Sequence, residues 1–191
     1  IREQGVCYEE EDFSVRAFYL NHTNPCLGYV LEEKKRPGEF SPEKAVSLKV
    51  PRGPLWSALQ GGQSVTASDG STVNPNQVLG PERSGRKFSF VTDSLYMPEI
   101  AREVADSDLF VCEGMFEHAL LDTAVEKKHM TALQAGKIAQ AAGGVKKLLL
   151  IHYSPRYADK NLSVLLDEAR SVFAATELSK DRMCIPVEYK D

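Results

Sequence analysis

The sequence lacks a long apolar run. Its longest, Leu148–Ile151 with the flanking residues, is far shorter than the roughly 20 residues of a membrane-spanning helix, and no apolar signal segment opens the chain. It also lacks the biased composition of disordered or collagen-like proteins, because 42% of its residues are hydrophobic and 26% are charged. We therefore expect a globular protein that is neither embedded in a membrane nor exported.

The sequence contains only four cysteines, and its net charge is small. Cys7, Cys26, Cys112 and Cys184 form no C-x-x-C pair, and such scattered thiols are typical of a reducing compartment, so we expect a cytoplasmic protein. The 23 basic and 27 acidic residues give a net charge of −4, which argues against a uniformly basic surface for nucleic acid. The local distribution of charge therefore matters more than its sum.

The hydrophobic pattern predicts an α/β fold. Two strands open the chain, and from Arg86 onward strands and helices alternate. Gly143 and Gly144 are expected to end one helix and Asn161 to cap another. The predicted strands are 13–20, 27–31, 87–92, 109–112, 147–151 and 184–189, and the predicted helices are 98–104, 131–142 and 162–173.

A different stretch, residues 34–86, interrupts this pattern. It holds six of the ten prolines and seven of the thirteen glycines, and Ser41-Pro42 and Gly53-Pro54 predict the starts of two brief helices. It carries a net charge of +4 and the only tryptophan, Trp56. A basic protrusion with an aromatic side chain suits contact with nucleic acid, and a solvated surface excursion is the alternative. The predicted divisions of the chain are 1–33, 34–86 and 87–191.

Four polar side chains follow predicted strands directly: His22, Asp93, Glu113 and His152. The carboxyl ends of strands in an α/β sheet meet at one edge, where ligands and metals are bound. Imidazole and carboxylate together suit zinc or manganese. The repeated placement predicts a metal site, whereas for each residue alone a hydrogen bond to a loop or a turn cap is the simpler role.

The other two histidines differ in their setting. His129 follows Lys127 and Lys128 and precedes the helix start at Thr131, where exposed amides and positive charge favour anions. A plain capping segment is the alternative for this stretch. His118 has no such placement, and we predict an ordinary surface histidine.

The segment His152–Tyr157, with the sequence HYSPRY, is the most distinctive in the chain, because it joins a histidine, a hydroxyl and a guanidinium in one loop. It resembles the HFSPRY-type motif of ribonuclease Z, the tRNA 3′-processing endonuclease of the metallo-β-lactamase superfamily. Further segments resemble those of the family in the same order. They are NHTNPCLGYVLEEKKRPGEF, VPRGPLWSALQGG, VLGPERSGRKFSFVTDS, CEGMF and EKKHMTALQAGKIA.

The resemblance implies a role for each candidate residue. His22, Asp93 and His152 would be zinc ligands, with Asp93 bridging two zinc ions. Glu113 and His129 would form a pair that assists departure of the leaving oxygen. The resemblance also implies an αββα sandwich of the metallo-β-lactamase type and a homodimer.

Contacts with a precursor tRNA are implied as well. Ser154 and Arg156 would lie near the phosphate, and residues 34–86 would be a flexible arm that grips the body of the tRNA. The candidate contacts of this arm are Lys34, Lys35, Arg36 and Arg52. Two positions depart from the family pattern: Gly114-Met115 replaces the more common Ala-Thr, and Met130 replaces a serine.

One motif of the family is missing from the sequence. H-x-H-x-D-H, which supplies most zinc ligands and the aspartate that activates water, occurs nowhere in it. The chain therefore resembles the C-terminal half of the sandwich with its inserted arm. We expect the missing half to come from the same parent chain or from a partner chain, and we expect this chain to be inactive alone.

The resemblance thus implies part of a zinc-dependent endoribonuclease that removes 3′ trailers from tRNA precursors by two-metal hydrolysis. One alternative is a phosphodiesterase of the same superfamily that acts on small phosphodiesters and needs no remote grip on its substrate. Another is a catalytically silent protein that binds RNA or a partner through the arm alone.

Overall fold

The computed structural model describes residues 3–157 and 162–189. The chain divides into two compact units. The sheet unit comprises residues 1–33 and 86–188, and the inserted unit comprises residues 34–85 with 189–191. No helix within the described ranges is both long enough and apolar enough to cross a membrane.

Seven strands build the sheet of the sheet unit. They are β1 (Gly5–Glu9), β2 (Phe13–Leu20), β3 (Cys26–Glu33), β6 (Lys87–Val91), β7 (Leu109–Glu113), β8 (Leu148–Ile151) and β9 (Thr176–Leu178). They lie side by side in that order. Pairing is antiparallel from β1 to β6 and parallel from β6 to β9.

The helices of the sheet unit follow the parallel strands. They are α3 (Ile100–Glu103), α4 (Leu121–Lys127), α5 (Ala132–Ala142) and α6 (Ser163–Arg170). Both α3 and α6 pack against α5. Thr131 caps α5 through a capping box, because its hydroxyl accepts the Gln134 N–H and the Gln134 side chain accepts the Thr131 N–H.

The central strands β7 and β8 are covered on both faces. Phe110 and Leu150 lie in the core that the helices cover, whereas their neighbours Val111 and Leu149 lie in a second core on the other face. Successive residues of a strand point to opposite faces. Burial on both faces explains why these strands are continuous apolar runs in the sequence.

The predicted strand at 184–189 is wrong. These residues form no strand, although Ile185 and Val187 pack against the second core. Pro186 stands between them and has no N–H to donate to a neighbouring strand. The alternation of apolar residues therefore reflects packing on the sheet face without strand pairing.

The other predicted elements are confirmed with shifted ends. The strand 13–20 is reproduced as predicted, and Thr131 begins the helix that ends at Ala142. The helices predicted at 98–104 and 162–173 are shorter, and the cap predicted at Asn161 lies outside the described residues. Strand β1 was not predicted, and it is a short edge strand whose apolar residues Val6 and Tyr8 are exposed.

The inserted unit has a hydrophobic core of its own. It contains α1 (Pro42–Ser47), α2 (Pro54–Gln60) and the hairpin of β4 (Val65–Thr66) and β5 (Thr72–Val73). Both brief helices begin where the prolines predicted, and the Ser41 hydroxyl accepts the Lys44 N–H as the cap of α1. The core consists of Ala45, Val50, Leu59, Val65, Ala67, Val73 and Val78.

Gly136 marks a close approach between α5 and the end of α6. A Cβ at this position would lie 2.7 Å from Val172 Cγ2 and 2.8 Å from the Ala169 carbonyl oxygen. We expect Gly136→Ala to lower the free energy of unfolding by about 1–3 kcal/mol, because overpacking outweighs the better helix propensity of alanine. Urea unfolding followed by circular dichroism measures the change. The exposed neighbour Lys137→Ala is the control and should shift it by less than about 0.5 kcal/mol.

Candidate metal centre

The polar residues at four strand ends share one edge of the sheet. Strand β2 is antiparallel to β3, which is antiparallel to β6, so β2 runs in the same direction as β6, β7 and β8. The carboxyl ends of these four strands therefore lie along the same edge. That edge carries His22, Asp93, Glu113 and His152.

Asp93 lies between two imidazoles. Its Oδ2 is 3.9 Å from His22 Nε2, and its Oδ1 is 3.4 Å from His152 Nε2. Each oxygen of the carboxylate faces a different histidine. Carboxylate oxygen and imidazole nitrogen are ligand types that zinc takes in proteins.

His129 completes a group of three rings. Its ring centroid is 4.9 Å from that of His22 and 5.3 Å from that of His152. One donor atom from each of His22, Asp93 and His129 lies within 4.8 Å of the others. Distance alone thus groups His129 with His22 and Asp93, whereas the ligand set predicted from the sequence has His152 in its place.

Glu113 orients His129 by accepting a hydrogen bond from its Nδ1. Its side chain is fully buried, and its two oxygens are 3.1 and 3.2 Å from His129 Nδ1, which donates to them. The Ser94 N–H donates to Oε1 at 2.6 Å and the Met130 N–H to Oε2 at 3.1 Å. Three donors therefore compensate a carboxylate that has no access to water.

His22 is oriented by a backbone carbonyl. Its Nδ1 donates to the Lys128 carbonyl oxygen at 3.1 Å, which leaves Nε2 free to face Asp93. Lys128 ends α4 in the left-handed conformation with φ of 55°, and this turn directs the carbonyl toward the ring. Metal-binding histidines commonly donate their second N–H to a carbonyl in this way. No sequence pattern predicts that a backbone carbonyl will orient a histidine in this way.

The ring of Phe116 lies near both Arg156 and His129. The guanidinium carbon of Arg156 lies 5.2 Å from the centroid of Phe116, whose ring meets His129 edge-on at a centroid distance of 6.4 Å. Ser154 is buried in the same loop, and its N–H donates to the Met115 carbonyl at 3.1 Å. The predicted phosphate-binding residues thus belong to the loop that begins at His152.

The four predicted arm residues all lie in the inserted unit. Lys35 pairs with Glu82 at 3.4 Å. Arg36 lies 3.4 Å above the ring of Tyr189, and Arg52 lies 5.3 Å from the ring of Trp56. Lys34 is exposed.

The prediction that His118 is an ordinary surface histidine is wrong. Its Nδ1 is 3.2 Å from the Thr131 hydroxyl, and its backbone N–H donates to the Glu168 carboxylate. A short 3-10 turn at His118–Leu120 places it against the cap of α5. Its distance along the chain from Thr131 and Glu168 concealed this role from sequence reasoning.

Several curated proteins match this chain along its whole length. Ribonuclease Z of Treponema denticola is 62% identical over 191 residues, which is all of this chain and 62% of that relative. Ribonuclease Z of Treponema pallidum strain Nichols is 54% identical over 189 residues, or 99% of this chain and 61% of the relative. This chain is homologous to ribonuclease Z. The resemblance predicted from the motifs is confirmed, and the chain spans about three fifths of the length of these relatives.

More distant ribonuclease Z proteins match as well. The protein of Cyanothece sp. strain PCC 7425 is 40% identical over 182 residues, covering 94% of this chain and 57% of the relative. No protein-family model matches the chain.

The fold is also that of solved structures. Human tRNase Z, short form, superimposes with a TM-score of 0.57 at 20% identity, over 96% of this chain and 46% of that one. The metallo-beta-lactamase fold protein YhfI from Bacillus subtilis gives 0.57 at 17% identity, over 91% and 49%. The predicted α/β fold of the metallo-β-lactamase type is confirmed.

The site of this ribonuclease Z homologue shifts two pKa values. The hydrogen bond to Glu113 raises the pKa of His129 above its ordinary value of 6.5, against the opposing effect of burial. Burial alone would raise the pKa of Asp93, but the Thr92 hydroxyl and the nearby His152 outweigh it and lower that pKa. Asp93 is therefore a carboxylate and His129 is disposed to carry a proton.

We expect Glu113→Gln to lower the pKa of His129, because it removes the charge that raises this pKa and leaves burial to oppose protonation. Titration of the His129 ring by NMR in the metal-free chain measures the shift. Glu117→Gln removes a carboxylate outside this contact and should leave the titration unchanged. An unaltered His129 titration in Glu113→Gln would contradict the pairing.

In the native chain the raised pKa of His129 stabilises the fold at pH below 6.5, and this contribution is lost as the pH rises through the pKa of folded His129.

Proposed function

We propose that this chain forms part of a metal-dependent ribonuclease that removes 3′ trailers from tRNA precursors. The observation that carries the proposal is Asp93 placed between His22 and His152, with the Glu113–His129 pair directly beside them. Homology to ribonuclease Z supports the reaction class. Because the chain spans about three fifths of its relatives, we propose that a segment with the H-x-H-x-D-H motif completes the site.

The donor set fits a zinc ion. His22, Asp93 and His152 would hold it, since the Lys128 carbonyl occupies His22 Nδ1 and leaves Nε2 directed at Asp93. The low pKa of Asp93 keeps the carboxylate ionised, as metal binding requires. Two zinc ions in the complete site are our proposal, with manganese as the alternative, because the same nitrogen and oxygen ligands serve both metals.

His129 suits proton transfer better than metal binding. Its Nδ1 is tied to the buried Glu113, so its Nε2 is the nitrogen left to face the reacting groups. A buried carboxylate at Nδ1 stabilises the protonated ring, which can then donate a proton from Nε2. We therefore assign His129 the role of donating a proton to the leaving oxygen and Glu113 the role of orienting it.

The remaining groups would act on the phosphodiester. When bound, the metal would lower the pKa of a coordinated water and stabilise charge on the phosphate oxygens. Arg156, stacked on Phe116 next to His129, would bind a non-bridging oxygen of the phosphate. Ser154 would lie near the same phosphate and help to position it. His129 Nε2 would then release its proton as the bond to the leaving oxygen breaks.

The inserted unit is the proposed grip on the tRNA body. Residues 34–86 carry a net charge of +4, and Arg52 above Trp56 pairs a cation with an aromatic ring, as nucleic-acid contacts do. Lys34, Lys35 and Arg36 lie at the start of the same unit. Its core makes it a folded body that is able to present these side chains together.

A homodimer and a cytoplasmic location complete the proposal. The four cysteines are all free thiols, which agrees with a reducing compartment. Light scattering of the purified protein gives the oligomeric state directly.

The decisive experiment is a chimaera. In it, this chain replaces the matched 62% of the Treponema denticola ribonuclease Z. We expect the chimaera to cleave a precursor tRNA at its 3′ trailer and this chain alone to be inactive. A folded, metal-loaded chimaera without cleavage would favour the catalytically silent protein.

Substitutions in the chimaera separate the proposed roles. Asp93→Ala should lose metal and cleavage together, whereas His129→Ala should keep its metal and slow cleavage by about 100-fold or more. Elemental analysis and single-turnover kinetics measure the two properties. Loss of metal from His129→Ala would indicate that His129 is a ligand. The distances allow this, because one potential ligand atom from each of His22, Asp93 and His129 lies within 4.8 Å of the others.

Removal of the inserted unit tests the proposed grip. The Arg36 N–H donates to the Arg83 carbonyl at 2.8 Å, so residues 37–82 can be replaced by a short linker without separating the flanking chain ends. In the chimaera, this deletion should abolish cleavage of precursor tRNA and spare hydrolysis of a small chromogenic phosphodiester. Equal loss of both activities would contradict the assignment, and equal retention would favour an enzyme for small phosphodiesters.

A further inference from the structure

His152 is held differently from the other two histidines of the site. His22 and His129 each donate a ring N–H to a fixed acceptor, the Lys128 carbonyl and the Glu113 carboxylate. Within the described part of the chain, His152 has no such acceptor, and its ring meets only Asp93 and the ring of His129. Its side chain is also more exposed than theirs. The position of its ring therefore depends more on the backbone than do those of His22 and His129.

The backbone of His152 is itself strained. Its φ is 61°, in the left-handed region that residues other than glycine rarely adopt. Such a conformation is strained and persists only where the surroundings impose it. The neighbouring backbone does so in part: the Ile151 carbonyl accepts the Gly114 N–H at 3.0 Å, and the Ser154 N–H donates to the Met115 carbonyl at 3.1 Å.

The third restraint is the side chain of Tyr153. Its hydroxyl donates to the Leu150 carbonyl, three residues back along the chain, and accepts the Ser179 N–H at 2.8 Å. Ser179 follows β9, and its N–H is also 3.0 Å from the Leu150 carbonyl. The tyrosine thus folds back under the turn and joins the ends of β8 and β9.

We infer that Tyr153 is a positioning residue for His152. Because its hydroxyl anchors the chain immediately after the left-handed residue, the turn cannot relax, and the imidazole stays directed at Asp93. The HFSPRY-type motif has phenylalanine at this position, so the hydroxyl is a feature of this chain that the motif does not require. The inference rests on the proposed metal site, in which His152 is a ligand.

The test compares two tyrosines of the same loop. Tyr153→Phe removes only the anchoring hydroxyl. Tyr157→Phe removes a hydroxyl that binds Glu117 and not the turn at His152, so it controls for general loosening of the loop. We expect Tyr153→Phe to weaken Zn²⁺ binding by this chain by about tenfold, and Tyr157→Phe to leave it within about twofold. Equal affinity in Tyr153→Phe and the native chain, or equal weakening in both variants, would overturn the inference.

A second readout needs no metal. The rings of His129 and His152 have centroids 5.3 Å apart, so nuclear Overhauser effects between their ring protons report the direction of His152 in the metal-free chain. These effects should weaken in Tyr153→Phe and persist in Tyr157→Phe. Their persistence in Tyr153→Phe would overturn the inference. If this chain alone bound too little Zn²⁺ to measure, because the missing H-x-H-x-D-H segment supplies most ligands, this readout would decide the role of Tyr153, and the chimaera would test the proposed function separately.

Discussion

A buried carboxylate, that of Glu113, holds the candidate site together. It is the last residue of β7, and it joins that strand to the loop after β6 through the Ser94 N–H and to the loop before α5 through Met130 and His129. Desolvating an ionised carboxylate costs several kcal/mol, so the group is tolerated only with its donors in place. The positions of two loops relative to β7 therefore depend on a single side chain.

Packing around Glu113 accommodates Gly114 and Met130, two of the residues that depart from the family pattern, and nothing in the structure explains Met115. A Cβ on Gly114 would lie 3.1 Å from Leu150 Cδ2 and 3.3 Å from Ala132 Cα, so the glycine lets the end of β7 approach the start of α5 closely. Met130 is fully buried in the main core, where a serine hydroxyl would need a partner. Gly114 and Met130 thus fit the close packing of α5 and its preceding loop against β7, where the Met130 N–H reaches Glu113.

The sequence predicted those parts of the site that depend on local pattern. Strand ends are local, so His22, Asp93, Glu113 and His152 could be placed on one edge before any coordinates. The hydrogen bond that orients His22 could not be predicted from the sequence. Its acceptor is the backbone carbonyl of Lys128, whose direction comes from a left-handed turn. The core of the inserted unit escaped for a related reason. Its apolar residues are spread over short elements and loops, and periodicity detects only longer ones.

The distribution of charge suggests that the proposed metal also balances negative charge at the edge of the sheet. Residues 34–86 carry a net charge of +4 and the remaining residues −8. Under the proposed function, an acidic sheet unit would repel a polyanion such as tRNA, and the partly exposed carboxylate of Asp93 lies at the edge that would receive the phosphate. Glu113 is buried among its own hydrogen-bond donors, whereas the charge of Asp93 would be balanced by a cation at the sheet edge. Under the proposed function, the inserted unit therefore supplies attraction at a distance, and the metal converts a repulsive edge of the sheet into one that accepts phosphate.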